Sequence, residues 1–229
     1  MSELLAGRHV VITGGAGGLG RAVVRVFLEA GATCHLPVQG SVPEGIPPDR
    51  TSITTGIDLT EDAAVRGYYS RLPALWASVH LAGGFKAGPI TEATRADLDG
   101  QLALNVVTAF LCSREAVRSM QATGAGGRIV NVGSRASETP SGGQVAYAAS
   151  KGATATLTQA LAEEVRRDGI LVNAVLPSII DTPANRSAMP NADHGRWPKP
   201  EEIGRTILWL ASAENRLTSG ALIPVYGNA

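Results

Sequence analysis

The chain has 229 residues, in which 20 basic side chains balance 20 acidic ones and 44% of the residues are hydrophobic. Zero net charge, without a basic run that carries interleaved aromatic residues, argues against nucleic acid as the main partner. No stretch reaches the roughly 18 uninterrupted apolar residues of a membrane helix, and the N-terminus lacks the pattern of a secretory signal, so we expect a cytoplasmic protein with no membrane partner.

Strand-like runs alternate with helical patterns along the chain. In order, the strand-like runs are RHVVIT, ATCHLPV, WASVHLA, GRIVNVGS, ILVNAVLP and ALIPVY. The helical patterns include the residues that lead to about Ala30, LALNVVTAFLCSREAVRSM, QVAYAASKGATATLTQALAEEV and EEIGRTILWLASA. Apolar strands without polar alternation are typical of strands buried on both faces. The pattern predicts an α/β fold, a doubly wound parallel sheet of the Rossmann type with helices on both faces.

Two segments interrupt this rhythm. Residues 39–52 are too rich in proline for a crossover helix, and residues 184–200 read as a polar loop bounded by prolines. Neither has the character of a linker, so residues 1–229 are expected to form a single domain. Both cysteines, Cys34 and Cys112, stand in apolar runs and are expected to be buried and inert, and a chain of this length needs no structural metal.

A glycine-rich turn follows the first strand. It reads Thr13-Gly14-Gly15-Ala16-Gly17-Gly18-Leu19-Gly20 and runs directly into an amphipathic helix. Glycines allow the backbone to approach a diphosphate closely, and the free N–H groups of a helix N-terminus favour its negative charge. The turn therefore predicts a dinucleotide-binding site.

Tyr147 and Lys151 lie four residues apart in the helical pattern of residues 144–165. This spacing places both on one face of a helix, so the phenol and the ammonium group can converge. A free tyrosine has a pKa near 10, and a nearby ammonium group favours the phenolate. We therefore expect Lys151 to lower the pKa of Tyr147.

These motifs together resemble the short-chain dehydrogenase/reductase family in its single-domain form. The glycine spacing is T-G-x-x-x-G-x-G. A Y-x-x-x-K motif alone is common by chance, but its combination with this glycine turn and the matches below is specific. Further matches follow in the family's order over nearly the whole chain. They are Asp58 before Leu59-Thr60, Ala82-Gly83, Asn105, Ser134, Tyr147-x-x-x-Lys151 and Asn173 through Pro177.

The resemblance implies hydride transfer between NAD or NADP and a small carbonyl compound or its alcohol, in a single dinucleotide-binding and catalytic domain. It assigns proton transfer to Tyr147, a bond to the nicotinamide ribose to Lys151, the substrate oxygen to Ser134 and the water of a proton relay to Asn105. It implies a homo-oligomer, a dimer or tetramer, and no metal. The cofactor-binding residues that it implies are Gly14, Gly15, Gly17, Gly18, Leu19, Gly20, Val38, Asp58, Leu59, Ala82, Gly83, Tyr147, Lys151, Pro177, Ile180 and Thr182.

The sequence departs from the family pattern in four places. Val38 and Gln39 stand where an acidic residue selects NAD or a basic one NADP, so the preference between them stays open. His80 replaces an amide and is interpreted as a core hydrogen-bonding residue rather than a catalytic one. Ser178 replaces a glycine and is expected to restrict the backbone near the nicotinamide. The loop from Pro183 to Pro198 is short for a substrate lid.

The substrate is expected to bind beside this short loop and the segment that follows the fourth strand of the family pattern. We expect Gly84 and Phe85 to border the site, because they follow the Ala82-Gly83 pair. The loop residues that are candidates to face a substrate are Arg186, Met189, His194, Arg196 and Trp197.

Two alternatives to a carbonyl reductase remain at this stage. An epimerase or dehydratase on the same scaffold usually has a larger C-terminal region and a different glycine spacing. The loss of a residue from the implied catalytic set would favour a catalytically silent dinucleotide-binding regulator or scaffold, and none is lost. The departures at Val38, Leu81 and Ser178 keep this alternative open.

Overall fold

The structure, a computed structural model, describes residues 3–42 and 44–229. Its centre is a sheet of seven parallel strands in the order β3-β2-β1-β4-β5-β6-β7. The strands are β1 (His9–Thr13), β2 (Thr33–Pro37), β3 (Thr51–Thr54), β4 (Leu75–His80), β5 (Gly127–Val132), β6 (Ile170–Pro177) and β7 (Leu222–Val225). The predicted doubly wound parallel sheet is confirmed.

The described residues form seven α-helices. They are α1 (Gly18–Glu29), α2 (Asp62–Tyr69), α3 (Arg95–Leu102), α4 (Thr108–Thr123), α5 (Val145–Glu164), α6 (Pro183–Ala188) and α7 (Pro200–Ala211). A π-helical turn, Ala103–Val107, joins α3 to α4. Short 3₁₀ turns lie at Arg135–Ser137, Arg166–Asp168 and His194–Arg196.

The alternation of side chains along β1 divides the core into two layers. Val10 and Ile12 point to the layer beneath α1 and α7, whereas Val11 points to the layer beneath α2 and α4. All three side chains are fully buried, as expected for a strand with helices on both sides. The apolar runs in the sequence therefore have partners on both faces.

Four elements, β3, α2, α3 and α6, were not identified from the sequence. The predicted long helical pattern begins only at Leu102, where α3 ends. β3 begins at the end of the proline-rich segment, of which Pro43 lies outside the described residues. α2 is only eight residues long, which gives too few turns for a clear helical period. α6 lies within the segment predicted to be a loop, where Thr182 caps its N-terminus and Pro183 occupies its first position.

The order of strands reverses between β1 and β4, and the site is built at this point. In open parallel sheets, ligands bind outside the carboxyl ends of the strands where the order reverses. The segments that leave β1 and β4 are joined there, since the Thr13 hydroxyl accepts a hydrogen bond from the N–H of Ala82 at 3.2 Å. Within the described residues, no helix has both the length and the apolar character to cross a membrane.

Candidate active site

The glycine-rich turn is packed so tightly that two of its residues tolerate no side chain. Gly14 has a φ of 65°, and a Cβ atom there would lie 2.7 Å from the backbone nitrogen of Ala82. At Gly20 a Cβ atom would lie 2.1 Å from the carbonyl oxygen of Gly14. Since both obstacles are backbone atoms, neither clash is relieved by a change of rotamer. The turn therefore keeps its shape only with glycine at these positions.

The N-terminus of α1 opens onto the end of this turn. Its N-cap residue, Gly17, offers no side chain to the first N–H groups of the helix, and the first turn holds no acidic residue. Thr182 reaches the same place from β6, because a Cβ atom on Gly18 would lie 2.9 Å from its Cγ2 atom. This arrangement suits an anion, whose charge is favoured by free N–H groups at a helix N-terminus.

A second group of residues surrounds the ends of β2 and β3. Val38 is half-buried, its N–H donates to Thr54, and its carbonyl accepts the N–H of Ile57. Gln39 donates to the Asp58 carboxylate at 3.1 Å, and Thr60 donates to it from both its N–H and its hydroxyl group. These bonds from Thr60 lower the pKa of Asp58. Leu59, the next residue, is partly buried against the core beneath α2.

Tyr147 and Lys151 converge on the space between β5 and the segment after β4. The Lys151 ammonium lies 6.0 Å from the centre of the Tyr147 ring and donates to the Val132 carbonyl at 2.9 Å. Phe85 packs edge-on against Tyr147, with 4.8 Å between ring centres. Gly83 lies between the two halves of the site, because a Cβ atom there would be 3.5 Å from the Lys151 ammonium.

The expectation that Lys151 lowers the pKa of Tyr147 is wrong for this structure. Burial raises the pKa of Tyr147, and the neighbouring Ser134 hydroxyl opposes the shift only in part. Burial also lowers the pKa of Lys151, to about 8. The ammonium is directed at a backbone carbonyl rather than at the phenol oxygen, so removal of water from around Tyr147 dominates.

Asn105 is buried in the π-helical turn, where its side chain is fully bonded. Its amide oxygen accepts the N–H of Gly84, and its amide nitrogen donates to the Gly84 carbonyl and to the Ser150 hydroxyl, each at 3.0 Å. Its main-chain carbonyl accepts the Thr154 hydroxyl at 3.0 Å. Asn105 thus joins the segment after β4 to α5, and it supports the helix that carries Tyr147 and Lys151.

His80 lies in a buried chain of hydrogen bonds, as the sequence predicts for a core residue. One ring nitrogen bonds to Ser78 at 2.8 Å, and the other bonds to Asn131 at 2.8 Å. Asn131 continues the chain to Thr158 on α5 at 2.9 Å. Burial lowers the pKa of His80 to about 4. The neutral ring is therefore the form that the fold stabilises.

This burial predicts a loss of stability in mild acid. Between pH 6.5 and about 4, His80 is protonated in the unfolded chain but stays neutral in the folded protein. The free energy of unfolding therefore falls as the pH falls. The slope reaches about 1.4 kcal/mol per pH unit for one such group. Urea unfolding across this range should show that slope, and His80→Asn should reduce it.

His35, whose pKa burial also lowers to about 4, provides the comparison. It retains its own part of the slope in the His80→Asn variant. An unchanged slope in that variant would contradict the assignment of a neutral ring to His80.

The residues between β6 and α7 form a fixed structure rather than an open lid. Trp197 is buried and packs against His194, with 4.6 Å between ring centres. Asp181 has a buried carboxylate, which pairs with both Arg186 and Lys199. Arg196 donates to the Asn228 carbonyl at 2.7 Å. The interpretation of these loop side chains as substrate-facing therefore fails for Trp197, which belongs to the core.

Residues at the end of β6 close the other side of the site. Pro177 is buried at the end of the strand, and Ile180 is partly buried against the core beneath α1. Ser178 donates to the Tyr226 carbonyl at 2.7 Å. The restriction expected of this serine is therefore a bond to the segment that follows β7.

Sequence reasoning missed four residues of this region. Gln101 contacts Asn105 from the preceding helical turn, and Thr154 contacts it from α5. Asp181 holds the segment before α6, and Lys86 pairs with Asp97 beyond Phe85. Helical spacing already places Gln101 and Thr154 on the same faces as Asn105 and Lys151, respectively. That spacing was the only available signal.

Comparison with known proteins places these features in a family. The model of the family described as short chain dehydrogenase matches residues 8–193. The cyclic-di-GMP-binding biofilm dispersal mediator protein of Escherichia coli is 32% identical, with 96% of each chain covered. The L-xylulose reductase of Bos taurus is 29% identical, with 99% of this chain and 98% of the relative covered.

A solved structure gives the same result for the fold. The 3-oxoacyl (acyl-carrier-protein) reductase of Agrobacterium tumefaciens C58, solved with NADP bound, superposes with a TM-score of 0.87 at 26% identity. The match covers 98% of this chain and 95% of that one.

Proposed function

The chain belongs to the short chain dehydrogenase family and is an NAD(P)-dependent oxidoreductase, and we propose that it interconverts a small carbonyl compound and its alcohol with Tyr147 as general acid and base. The observation that carries this proposal is the convergence of Tyr147, Lys151 and Ser134 beside the tight glycine turn. Ser134 also accepts the N–H of Ala136, and Lys151 donates to Val132, but neither bond requires a phenol beside these groups.

The glycine turn fits a dinucleotide. A Cβ atom on Gly20 would lie 2.1 Å from the Gly14 carbonyl oxygen, so no side chain stands between the turn and a bound diphosphate at this position. The uncapped N-terminus of α1 adjoins the turn. Gly14, Gly15, Gly17, Gly18, Leu19 and Gly20 would hold the diphosphate there. Val38, Asp58 and Leu59 would hold the adenosine end, and Ala82, Gly83, Pro177, Ile180 and Thr182 the nicotinamide end. The nicotinamide ring supplies or accepts the hydride.

Tyr147 is suited to donate a proton in the direction of carbonyl reduction. Because burial raises its pKa, the phenol is protonated throughout the neutral range. Charge develops on the substrate oxygen as hydride reaches carbon, and a positioned donor neutralises it. Ser134, whose hydroxyl neighbours Tyr147, would hold the same substrate oxygen.

Lys151 is suited to a role in binding as well as electrostatics. Lys151 is 7% exposed, its ammonium group takes part in none of the ion pairs of the described residues, and it donates one hydrogen bond to the Val132 carbonyl. Its remaining hydrogens are free for the nicotinamide ribose. Asn105, through Ser150 and Thr154, fixes the helical turn from which Lys151 projects and would position the relay water.

The test of this function has two stages. Calorimetric titrations with NADH and with NADPH measure the nucleotide site and its preference, which Val38 and Gln39 leave open. A panel of small ketones and aldehydes, followed by the loss of reduced nucleotide, then measures turnover. Tight binding of one nucleotide together with turnover is expected. Absence of binding at millimolar concentration would contradict the proposal.

We also propose that the protein is a homo-oligomer. Leu104, Val107 and Phe110 are exposed along one side of the π-helical turn and α4. Exposed apolar side chains grouped in this way are typical of protein interfaces. Sedimentation should give a mass at least twice that of one chain, and Phe110→Glu should shift it towards the monomer while Thr123→Glu, at the far end of α4, should not. A wild-type protein that sediments as a monomer would contradict this.

A further inference from the structure

A cavity of about 220 Å³ adjoins the site on the side of α3. Two loops form its walls, one after β4 and one before α5, and the Gly88 N–H joins them by donating to the Gly143 carbonyl at 2.7 Å. At about 30 Å³ for each water, the cavity holds about seven water-sized groups. The residues that line it include Lys86, Ile90, Asp97, Gln101, Gln144 and Val145.

Consecutive residues connect this cavity to Tyr147. Gly84 bonds to the Asn105 side chain, Phe85 contacts the Tyr147 ring, and Lys86 lines the cavity. From the other wall, Val145 lies two residues before Tyr147 on the same helix. The cavity therefore adjoins Tyr147 along both walls, through Phe85 on one and through Ala146 on the other.

Gln101 offers a hydrogen-bond donor to this cavity. It is only 5% exposed, and its amide oxygen faces Asn105, whose amide nitrogen lies 3.5 Å away. The orientation of Asn105 is itself fixed, because Gly84 both donates to it and accepts from it. With the oxygen of Gln101 so placed, its amide nitrogen points away from Asn105.

That nitrogen has no acceptor within residues 3–42 and 44–229, although Gln101 lines the cavity. The buried side-chain atoms without a partner in the described chain are Tyr68 Oη and Arg114 Nη2, so the Gln101 nitrogen keeps contact with solvent through the cavity. A ligand that displaces this solvent must accept its hydrogen bond, because an unmade bond leaves the cost of lost hydration uncompensated. The nitrogen therefore suits a ligand atom that accepts a hydrogen bond, which in a small carbonyl compound is a second oxygen.

The charges of the cavity favour a neutral ligand. Lys86 forms an ion pair with Asp97, which also accepts the N–H and the hydroxyl of Thr94, so the ammonium charge is already balanced. Glu92 adds a negative charge to the lining. An anionic substituent would meet this excess of carboxylates, whereas hydroxyl groups donate to carboxylates and accept from an amide.

We propose that Gln101 and this cavity form a substrate subsite for a second, neutral oxygen function, so that the substrates are small hydroxylated carbonyl compounds. The inference rests on the proposed function, since it extends the substrate that Tyr147 reduces. The apolar side chains of Ile90 and Val145 would contact the short carbon chain between the two oxygens.

The test compares matched substrates of the holoenzyme. The panel consists of methyl ketones whose chains end in a hydroxyl group, each paired with the ketone in which a methyl group replaces that hydroxyl. For Gln101→Leu, kcat/KM for the hydroxyketones is expected to fall about tenfold, mainly through KM, and to stay within about twofold for the paired ketones. Gln121→Leu is the matched control, because this glutamine bonds to Asp168 on the surface at 2.7 Å.

A binding experiment makes the outcome independent of turnover. Ligand-observed NMR with the protein loaded with its preferred reduced nucleotide measures the binding of a terminal diol and of the monoalcohol of equal length, neither of which can be reduced. Binding of the diol that disappears in Gln101→Leu and persists in Gln121→Leu supports the subsite, even if no ketone is turned over and the proposed function fails.

Three results would overturn the subsite. One is an equal loss of kcat/KM for both members of each pair in Gln101→Leu. This result leaves the proposed function intact, because both ketones are still reduced. Another is a preference for a keto acid of the same length, which excludes the neutral class. The third is an absence of diol binding in every variant, which rejects the subsite whether or not ketones are reduced.

Discussion

Replacement of Tyr147 by phenylalanine is expected to lower kcat for carbonyl reduction about 10²–10⁴-fold, because that is the usual contribution of a positioned general acid. The substitution removes one hydroxyl group and keeps the ring, which packs edge-on against Phe85 at 4.8 Å. Nucleotide affinity is expected to stay within a few-fold, since the glycine turn is untouched. Steady-state turnover and calorimetric titration of the same preparation measure the two quantities.

Tyr68→Phe provides the matched control. The Tyr68 hydroxyl is buried in α2 and finds no hydrogen-bond partner among the residues that the structure describes. Its loss should therefore leave turnover and nucleotide affinity unchanged. Undiminished turnover in Tyr147→Phe would reject the acid and base role of Tyr147, whatever the control shows.

The pH dependence of the reaction rates is a second test of the role of Tyr147. Burial raises the pKa of Tyr147, so the wild-type rate of reduction should be flat across neutral pH and fall only in alkali. Alcohol oxidation needs the phenolate and should instead rise with pH. Lys151, whose pKa is about 8, loses its charge within the same alkaline range. A nucleotide affinity that weakens above that pH would identify its contribution.

Gly20→Ala is expected to weaken nucleotide binding at least about a hundredfold. The added Cβ atom would lie 2.1 Å from the Gly14 carbonyl oxygen and 2.7 Å from two backbone atoms of Gly15, so the turn must open to admit it. A displaced turn no longer presents its N–H groups to the diphosphate. Titration with the preferred nucleotide measures the loss, and thermal unfolding shows whether the variant is folded.

Two further variants distinguish a specific loss of nucleotide affinity from general destabilisation of the fold. In Gly18→Ala the new atom meets the Thr182 side chain at 2.9 Å, which can move, so we expect a smaller loss of affinity. In Gly67→Ala, on α2, the nearest atom is 3.6 Å away at the end of the Arg71 side chain, and affinity should not change. A folded Gly20→Ala protein with wild-type affinity would place the dinucleotide elsewhere.

The sequence located most of the elements that carry the site, because their signals are local. Six of the seven strands in the described chain, and the helix that bears Tyr147 and Lys151, were predicted from apolar runs and from spacing along the chain. α6 was mistaken for loop, since two flanking prolines suggest irregular structure although Pro183 in fact occupies a first helical position. β3, with four residues, is too short for its pattern to stand out.

Electrostatics could not be read from the same patterns. The four-residue spacing brings Lys151 within 6.0 Å of the Tyr147 ring, but the direction of the Tyr147 pKa shift depends on how much water the surrounding segments exclude. Trp197 was a candidate for the substrate side because it stands in a polar stretch. It is buried because His194 packs against it.

The sequence by itself determined the fold class, the family and the identity of the residues that meet at the ends of the strands, since all of these follow from periodicity and motif order. Only the tertiary structure decided which of those side chains are already bonded. Asn105 is joined to Thr154, 49 residues away, and His80 to Asn131, 51 residues away. Such partners are set by the packing of α4 and α5 on the sheet. The same packing leaves the Gln101 amide nitrogen without an acceptor in the described chain, because the helix turns it towards a cavity rather than towards a neighbour.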